Sequence, residues 1–421
     1  MEVGFFRFLR FSLGLEEEVK DLLDGTKGCF DWDACYQFAQ RQTLQGVLFD
    51  GIKRLPKELA PARPLLLRWL SDSESVRRRN VRMDRASVYI NDKVCAAGFR
   101  CCILKGQGNA LLYPNPSART PGDVDVWVMA SREELRHIAL SLTEGDGSSL
   151  QESLNHIGLM LHGVSVELHS TPALLNSPLH NSRLQRWLKR NAGLQCSNRV
   201  ALPGNAGEVA VPTVSFNVIY QLCHLFHHCF YEGVGLRQIV DYFFVLMNTD
   251  FSGKTDGVSG NTNGGAFGVN TDFTDDTDRV VGNADGDGFL LNTDFTDNTD
   301  RIGGNADVVD RRLLQDELRR LGLWEFAGAV MYIMKEVFGL EDNRLIVSPD
   351  VKRGRLVLKE ALEAGNFGQY DKRNWFGHSA LGHNLQRLYR DMRLVRFFPA
   401  EALSEPFFRI WHFFWRKRIV R

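Results

Sequence analysis

Apolar residues recur at helical spacing in the first and last parts of the chain and alternate with polar residues between them. Segments 5–24, 31–54 and 65–97 have the spacing typical of amphipathic helices, and so do most of 213–247 and 308–421. Four shorter apolar runs predict strands, and they are residues 98–104, 123–128, 153–162 and 164–169. This pattern predicts an N-terminal helical segment (1–97), a core with strands (98–212), a helical region (213–247) and a C-terminal helical region (308–421).

The remaining segment, 248–307, is a tandem repeat. The sequence Asn-Thr-Asp-Phe begins at positions 248, 270 and 292, which is a period of 22 residues. Its composition, rich in Thr, Asp and Gly, predicts a disordered acidic insertion. Residues 283–294 also resemble a calcium-binding loop, so a calcium-dependent interaction protein is an alternative function.

Charge is unevenly distributed along the chain. Lys+Arg and Asp+Glu number 51 each, but residues 250–307 hold twelve aspartates against three basic residues, a net charge of −9. The rest of the chain is therefore about +9, which is compatible with polyanionic ligands such as nucleotide phosphates. The basic run Arg77–Arg79 could contact nucleic acid, but a solvated helix face is the favoured interpretation.

Cysteine usage and hydropathy point to a cytoplasmic protein. The eight cysteines include no C-x-x-C pair, so neither a zinc knuckle nor a redox motif is indicated. No signal peptide and no apolar run of eighteen residues is found, so we expect reduced thiols and no membrane span.

Three carboxylates are expected to share one face of the predicted sheet. Asp123 and Asp125 are two residues apart in a strand and therefore point the same way. Glu167 lies on the polar face of the strand 164–169, which alternates in the same manner. Two carboxylates about 5 Å apart repel by roughly 3 kcal/mol at an effective dielectric constant near 20, so such a group favours a bound cation.

The surrounding residues indicate phosphate chemistry. Two Mg²⁺ ions, or Mn²⁺, held by Asp123, Asp125 and Glu167 could bind a nucleoside triphosphate and stabilise the leaving pyrophosphate. Gly106 would let a phosphate approach the backbone, and Lys105 and Arg119 would neutralise its charge. Phosphatases of the haloacid-dehalogenase type and glycosyltransferases also use D-x-D, but there it follows an apolar strand, whereas here it opens one.

Several other residues have more than one interpretation. His169 shares the face of Glu167, where it could orient that residue, contact phosphate or be structural. His224 and His228 have metal-ligand spacing, but packing within an aromatic helix is the favoured interpretation. Arg237 and Asp241 are expected to form a buried pair. The C-terminal sequence 407–421 is aromatic and basic, and we expect its aromatic residues to pack on the protein rather than on a membrane or on bases.

Four motifs resemble the uncharacterised nucleotidyltransferase family of the DNA polymerase β-like superfamily. They are L-K-G at 104–106, R-x-x-G-D-V-D at 119–125, V-E-L-H at 166–169 and G-L-R-Q-x-x-D at 235–241. The resemblance implies an α+β fold with a small mixed β-sheet, a metal-dependent nucleotidyl-transfer site and an all-helical remainder. It makes Asp123, Asp125 and Glu167 metal ligands. Lys105-Gly106 stands where the wider superfamily has Gly-Ser or Gly-Gly.

The function expected from these residues is transfer of a nucleoside monophosphate from a nucleoside triphosphate to an acceptor hydroxyl. The acceptor could be a sugar, an antibiotic, a protein hydroxyl or a nucleic-acid end. The alternative is a module of the same fold that binds a nucleotide or a partner without turnover, as an antitoxin might.

Overall fold

The computed structural model describes residues 2–23, 30–143, 150–251, 309–371, 373 and 380–419. The acidic insertion beyond Phe251, including the calcium-type loop at 283–294, lies outside the described residues. None of the helices in the described part of the chain is both long and apolar enough to cross a bilayer.

Five helices precede the first strand. They are α1 (Glu2–Ser12), α2 (Lys20–Leu23), α3 (Trp32–Gln42), α4 (Gln45–Lys53) and α5 (Arg63–Ala96). The segment predicted as one helix at 5–24 is broken because Gly14 adopts a positive φ of 79°, which is incompatible with a continuing right-handed helix. The side chain of Asp31 caps α3 by accepting a hydrogen bond from the amide of Ala34 at 2.9 Å.

The central sheet has five strands in the order β1-β2-β5-β4-β3. The strands are β1 (Cys101–Leu104), β2 (Val124–Val128), β3 (Gln151–Glu152), β4 (His156–Leu161) and β5 (Val164–His169). The central pair β2 and β5 is parallel, and the other pairs are antiparallel. The small mixed sheet and the α+β class expected from the sequence are therefore confirmed.

The two faces of the sheet differ in character. Val124, Val126 and Val128 lie on one face, in an apolar core shared with α5 and with α7 (Arg132–Leu142). The opposite face carries Asp125 and Trp127, and it is covered by helices from the middle of the chain. Trp127 stacks there on Phe216 of α9, with the ring centroids 5.9 Å apart.

The middle of the chain adds four helices and a second, two-stranded sheet among the described residues. The helices are α6 (Gly106–Ala110), α8 (Pro178–Ser197), α9 (Val214–Tyr231) and α10 (Leu236–Met247). The two strands are β6 (Arg199–Leu202) and β7 (Gly207–Ala210). Neither this hairpin nor α8 was predicted from the sequence.

The next described residue after Phe251 is Val309, which lies beside Asp250. The amide of Val309 donates a hydrogen bond to the carbonyl of Asp250 at 2.8 Å. The following helices are α11 (Arg311–Arg320), α12 (Trp324–Phe338), α13 (Val351–Ala364), α14 (Ala380–Leu394) and α15 (Pro399–Ile419). The two ends of the insertion are thus adjacent in space.

The aromatic residues of α15 do not all pack on the protein, so that expectation was wrong. Phe407 is 75 % exposed, and Trp411, Phe413 and Phe414 are each more than half exposed. Phe408 and His412 instead line an internal cavity. The physical reason is that aromatic residues occupy every face of the helix, whereas only one face can rest on the body of the protein.

Candidate active site

Three carboxylates meet on the polar face of the central sheet. Asp125 of β2 and Glu167 of β5 are direct neighbours across the parallel pair. Asp123 lies just before β2, and one oxygen from each of the three carboxylates lies within 4.8 Å of the others. The alternation in β2 and β5 produces this arrangement, because the intervening valines and leucine occupy the opposite face.

Asp125 is buried and is held by two cationic partners. Its Oδ2 lies 3.0 Å from Nζ of Lys105, and its Oδ1 lies 2.9 Å from Nε2 of His169. Burial alone would raise the pKa of Asp125, but the charges and hydrogen bonds of Lys105 and His169 outweigh it and hold this pKa well below its usual range. Asp125 is therefore a carboxylate at neutral pH.

The pKa of Asp123 is shifted in the opposite direction. The neighbouring charge of Asp125 and, secondly, burial raise the pKa of Asp123 to about 6, although Lys105 acts in the other direction. The protein's own cations therefore neutralise this end of the site less completely than they neutralise Asp125.

Lys105 stands in the turn between β1 and α6 with a backbone conformation that residues other than glycine rarely adopt. Its φ is 48° and its ψ is −133°, and such a conformation costs on the order of 1–3 kcal/mol. Gly106 follows with a φ of 41°. This turn directs the Lys105 ammonium group onto Asp125 and also to 3.2 Å from Nε2 of His224.

His169 links two of the carboxylates. Its Nε2 lies 2.9 Å from Asp125 Oδ1 and 3.3 Å from Glu167 Oε2. Burial lowers the pKa of His169, but the hydrogen bonds to Asp125 and Glu167 more than compensate and raise it to about 9. His169 is accordingly an imidazolium when only protein groups surround it.

Two further histidines, His156 and His224, contact the predicted site residues. Neither was assigned to the site from the sequence. His156 of β4 is the register partner of His169, and its Nε2 lies 3.6 Å from Glu167 Oε1. His224 of α9 contacts Lys105 and also lies 2.9 Å, between Nε2 atoms, from His228. Burial, followed by the charge of Lys105, lowers the pKa of His224 well below its usual value, so its ring is neutral.

Arg119 is placed at the same cavity by a buried ion pair. Its Nε and Nη2 donate to the two oxygens of Asp241 at 2.7 and 2.8 Å, and the hydroxyl of Tyr113 donates to the same carboxylate at 2.7 Å. Arg237, the partner expected for Asp241, is more distant at 3.9 Å. The third nitrogen of the guanidinium, Nη1, is buried without a hydrogen-bond partner among the described residues.

These groups border one cavity of about 460 Å³. Its lining includes the residues predicted as the site, which are Lys105, Gly106, Arg119, Asp123, Asp125, Glu167 and His169. It also includes the aromatic side chains of Tyr231, Phe367, Phe408 and His412. The structure thus brings all seven predicted residues to one cavity and adds His156 and His224 to its wall.

Comparison with known proteins agrees with the motifs. The model of a family described as uncharacterised nucleotidyltransferase matches residues 28–256, which is more than half of the chain. A solved structure of an antigenic nucleotidyltransferase-like protein from Paracoccidioides brasiliensis is 15 % identical, covers 40 % of this chain and 77 % of its own, and has a TM-score of 0.27. A similarity that weak adds nothing to the family match, and no curated protein matches the chain. On the strength of the family match, this chain belongs to the uncharacterised nucleotidyltransferase family.

Proposed function

We propose that the protein is a metal-dependent nucleotidyltransferase that moves a nucleoside monophosphate from a nucleoside triphosphate to an acceptor hydroxyl. The observation that carries this proposal is the group formed by Asp123, Asp125 and Glu167, whose oxygens lie within 4.8 Å of one another at the edge of the cavity. A fold retains three mutually repelling carboxylates when a cation offsets their charge.

The donor set fits divalent magnesium, or manganese in its place. All three groups offer oxygen, the ligand type that Mg²⁺ prefers, and the raised pKa of Asp123 reflects repulsion that a dication would relieve. Asp123, Asp125 and Glu167 would hold the metal. Bound there, it would supply charge neutralisation for the triphosphate and for the leaving pyrophosphate.

The remaining site residues are assigned to the phosphates. Lys105 presents an ammonium group at the cavity, and the φ of 41° at Gly106 allows the backbone to turn tightly beside it. The free Nη1 of Arg119 can donate to a phosphate oxygen while Asp241 fixes the rest of the guanidinium. His169 can orient Glu167 or donate to phosphate.

Glu167 is our choice for the group that orients the acceptor hydroxyl and accepts its proton. Asp125 is enclosed, with 5 % of its side chain exposed, whereas 29 % of the Glu167 side chain is exposed. Asp125 also has two close cationic partners that hold its charge in place. Glu167 is thus the more accessible of the two carboxylates for an incoming hydroxyl.

A direct test measures binding of labelled nucleoside triphosphates and their transfer, with Mg²⁺ or with a chelator. Asp123→Asn and Asp125→Asn keep the side-chain shape but remove the charge, and we expect each to abolish transfer and metal-dependent binding. Asp316→Asn, at an exposed surface position, is the matched control and should behave as wild type. Equal binding by all variants with no effect of metal would contradict the proposal.

One observation favours the second candidate, a module that binds nucleotide without turnover. Lys105 and His169 already provide Asp125 with two intramolecular counter-ions, which is how a site can be neutralised without a metal. In that case the same assay would give triphosphate binding that is unaffected by chelator, and no pyrophosphate would be released from the triphosphate whichever acceptor is supplied.

A further inference from the structure

A second cluster of donor atoms adjoins the carboxylates. One donor atom each from His156, Glu167 and His169 can be chosen so that all three lie within 4.8 Å of one another. The cluster shares Glu167 with the carboxylate group but is otherwise composed of imidazoles. It lies on two adjacent antiparallel strands, where His156 and His169 are register partners.

The two separations from the imidazoles to Glu167 are close to the edges of a metal coordination shell. Bonds of about 2.1 Å from a metal to nitrogen and oxygen place two ligands about 3.0 Å apart at a right angle and about 3.4 Å apart at a tetrahedral angle. Within the cluster, His169 Nε2 lies 3.3 Å from Glu167 Oε2, and His156 Nε2 lies 3.6 Å from Glu167 Oε1.

The supporting residues suit ligand roles. Asn155 lies 3.5 Å from Nδ1 of His169, on the side away from the carboxylates, where a second-shell partner of a metal-bound histidine normally stands. Nδ1 of His156 is buried and has no hydrogen-bond partner in the described part of the chain.

We propose that His156, Glu167 and His169 form a second cation position, which takes a first-row transition-metal dication such as Zn²⁺ or Mn²⁺ in preference to Mg²⁺. Two imidazoles with a carboxylate favour such ions, whereas Mg²⁺ favours oxygen ligands alone. The inference rests on the proposed function only in that Glu167 is shared. Asp123 and Asp125 remain available to Mg²⁺.

Mn²⁺ bound to the full-length protein provides the test. Electron spin-echo envelope modulation detects ¹⁴N nuclei of imidazoles that coordinate the ion directly. The acidic segment 252–308 contains no histidine, so manganese bound there adds no such signal. The test variant is His156→Ala, and circular dichroism checks that it folds. If it does not fold, His156→Gln takes its place. His137→Ala, at an exposed histidine, is the control.

We expect imidazole modulation in the wild type and in His137→Ala, and its reduction in the His156 variant. The variant should also lose at least about tenfold in Mn²⁺ and Zn²⁺ affinity, since removing even an outer-shell partner costs that much. Bound Mn²⁺ without nitrogen modulation, or modulation unchanged in the His156 variant, would overturn the inference. The first result would mean that neither imidazole coordinates the ion, and the second that His156 does not.

Asp123→Asn separates this inference from the proposed function. This variant removes a carboxylate that the second position does not use, so the nitrogen modulation should persist while nucleotidyl transfer is lost. Transfer with Mg²⁺ but no nitrogen signal would refute the second position alone. A nitrogen signal without transfer to any acceptor would refute the transferase proposal alone.

Discussion

Lys105 combines a glycine-type backbone conformation with an ammonium group that contacts Asp125. The two features can be separated by substitution. Lys105→Gly and Lys105→Ala both remove the ammonium group, but only glycine relieves a φ of 48° with a ψ of −133°. A strained residue at a cavity edge is retained when its side chain is needed there.

We expect Lys105→Gly to be more stable than Lys105→Ala by at least about 1 kcal/mol in urea unfolding. Both variants should lose triphosphate affinity to the same extent, because both lack the charge beside Asp125. If Lys105→Gly were no more stable than Lys105→Ala, the backbone at this position would not be strained.

The local sequence pattern is sufficient to bring some site residues together but not others. Asp123, Asp125 and Glu167 follow from alternation within two strands. His156 could also have been found, because the tight turn at Gly163 pairs Leu161 with Val164, and counting back along both strands pairs His156 with His169. His224 could not, since its contact with Lys105 spans 119 residues and depends on how α9 packs.

Between elements, the buried pair of Arg119 and Asp241 fastens the segment before β2 to α10. Breaking one side of a buried pair costs about 3–5 kcal/mol, whereas replacing both sides with apolar groups of similar size costs much less. We therefore expect Arg119→Met to lower the free energy of unfolding by about that amount, and Arg119→Met with Asp241→Leu to recover part of the loss.

Urea denaturation of the single and double variants measures this coupling. The exposed pair of Arg77 and Glu74 is the control, and Arg77→Ala should have little effect. Additive losses in the Arg119 and Asp241 variants would show that the two side chains do not depend on each other.

The contact between α15 and the start of α8 should make stability depend on pH. Glu401 is buried and accepts hydrogen bonds from the amides of Asn176 and Ser177. Burial raises its pKa from 4.5 to about 7, although those amides act in the opposite direction. The folded protein therefore holds the proton more tightly than the unfolded chain, and the associated stability is lost as pH rises from about 4.5 through 7.

For this contact we expect the free energy of unfolding to fall by up to about 3 kcal/mol between pH 4.5 and pH 8 because of Glu401 alone. The measurement compares urea unfolding of wild type and Glu401→Gln across that range. The difference between the two should change with pH in this direction, and a constant difference would mean that Glu401 does not titrate there.

The elements that the sequence predicted are those with strong periodicity or clear end signals. In β2 and β5, for example, Val124, Val126, Val166 and Leu168 alternate with residues of the other face. In contrast, α8 and the β6–β7 hairpin were not predicted, although Ser177-Pro178 at the start of α8 and Pro203-Gly204 between β6 and β7 are end signals. They are stabilised by packing on α5 and β1, which a local pattern does not reveal.

At the scale of the whole molecule, the cavity draws on parts of the chain that are far apart in sequence. The carboxylates come from the sheet, His224 from α9, Phe367 from the segment after α13, and Phe408 from α15. The C-terminal helix α15 therefore contributes to the wall of the cavity. The acidic insertion, in contrast, leaves and returns at the Asp250–Val309 hydrogen bond.

This geometry makes the 57 residues from 252 to 308 a suitable deletion. Replacing a segment of that length with about four Gly and Ser residues should raise the free energy of unfolding by about 2 kcal/mol if it is disordered as its composition predicts, because a shorter loop costs less entropy to close. We expect unchanged Mg²⁺-dependent triphosphate binding in the deletion variant. An insertion of scrambled repeat sequence, with the same length and composition, is the matched control and should resemble wild type in stability.

Two outcomes would contradict this prediction. A loss of stability on deletion, by denaturant unfolding, would show that the repeats fold and pack on the protein rather than forming the disordered segment that their composition predicts. A loss of triphosphate binding would make them part of the site. Calcium titration of the same three proteins tests the remaining alternative, a calcium-binding repeat. The scrambled insertion keeps every aspartate but not the spacing between them. Calcium binding by the wild type, but not by the deletion variant or the scrambled control, would therefore assign calcium binding to the native repeat sequence.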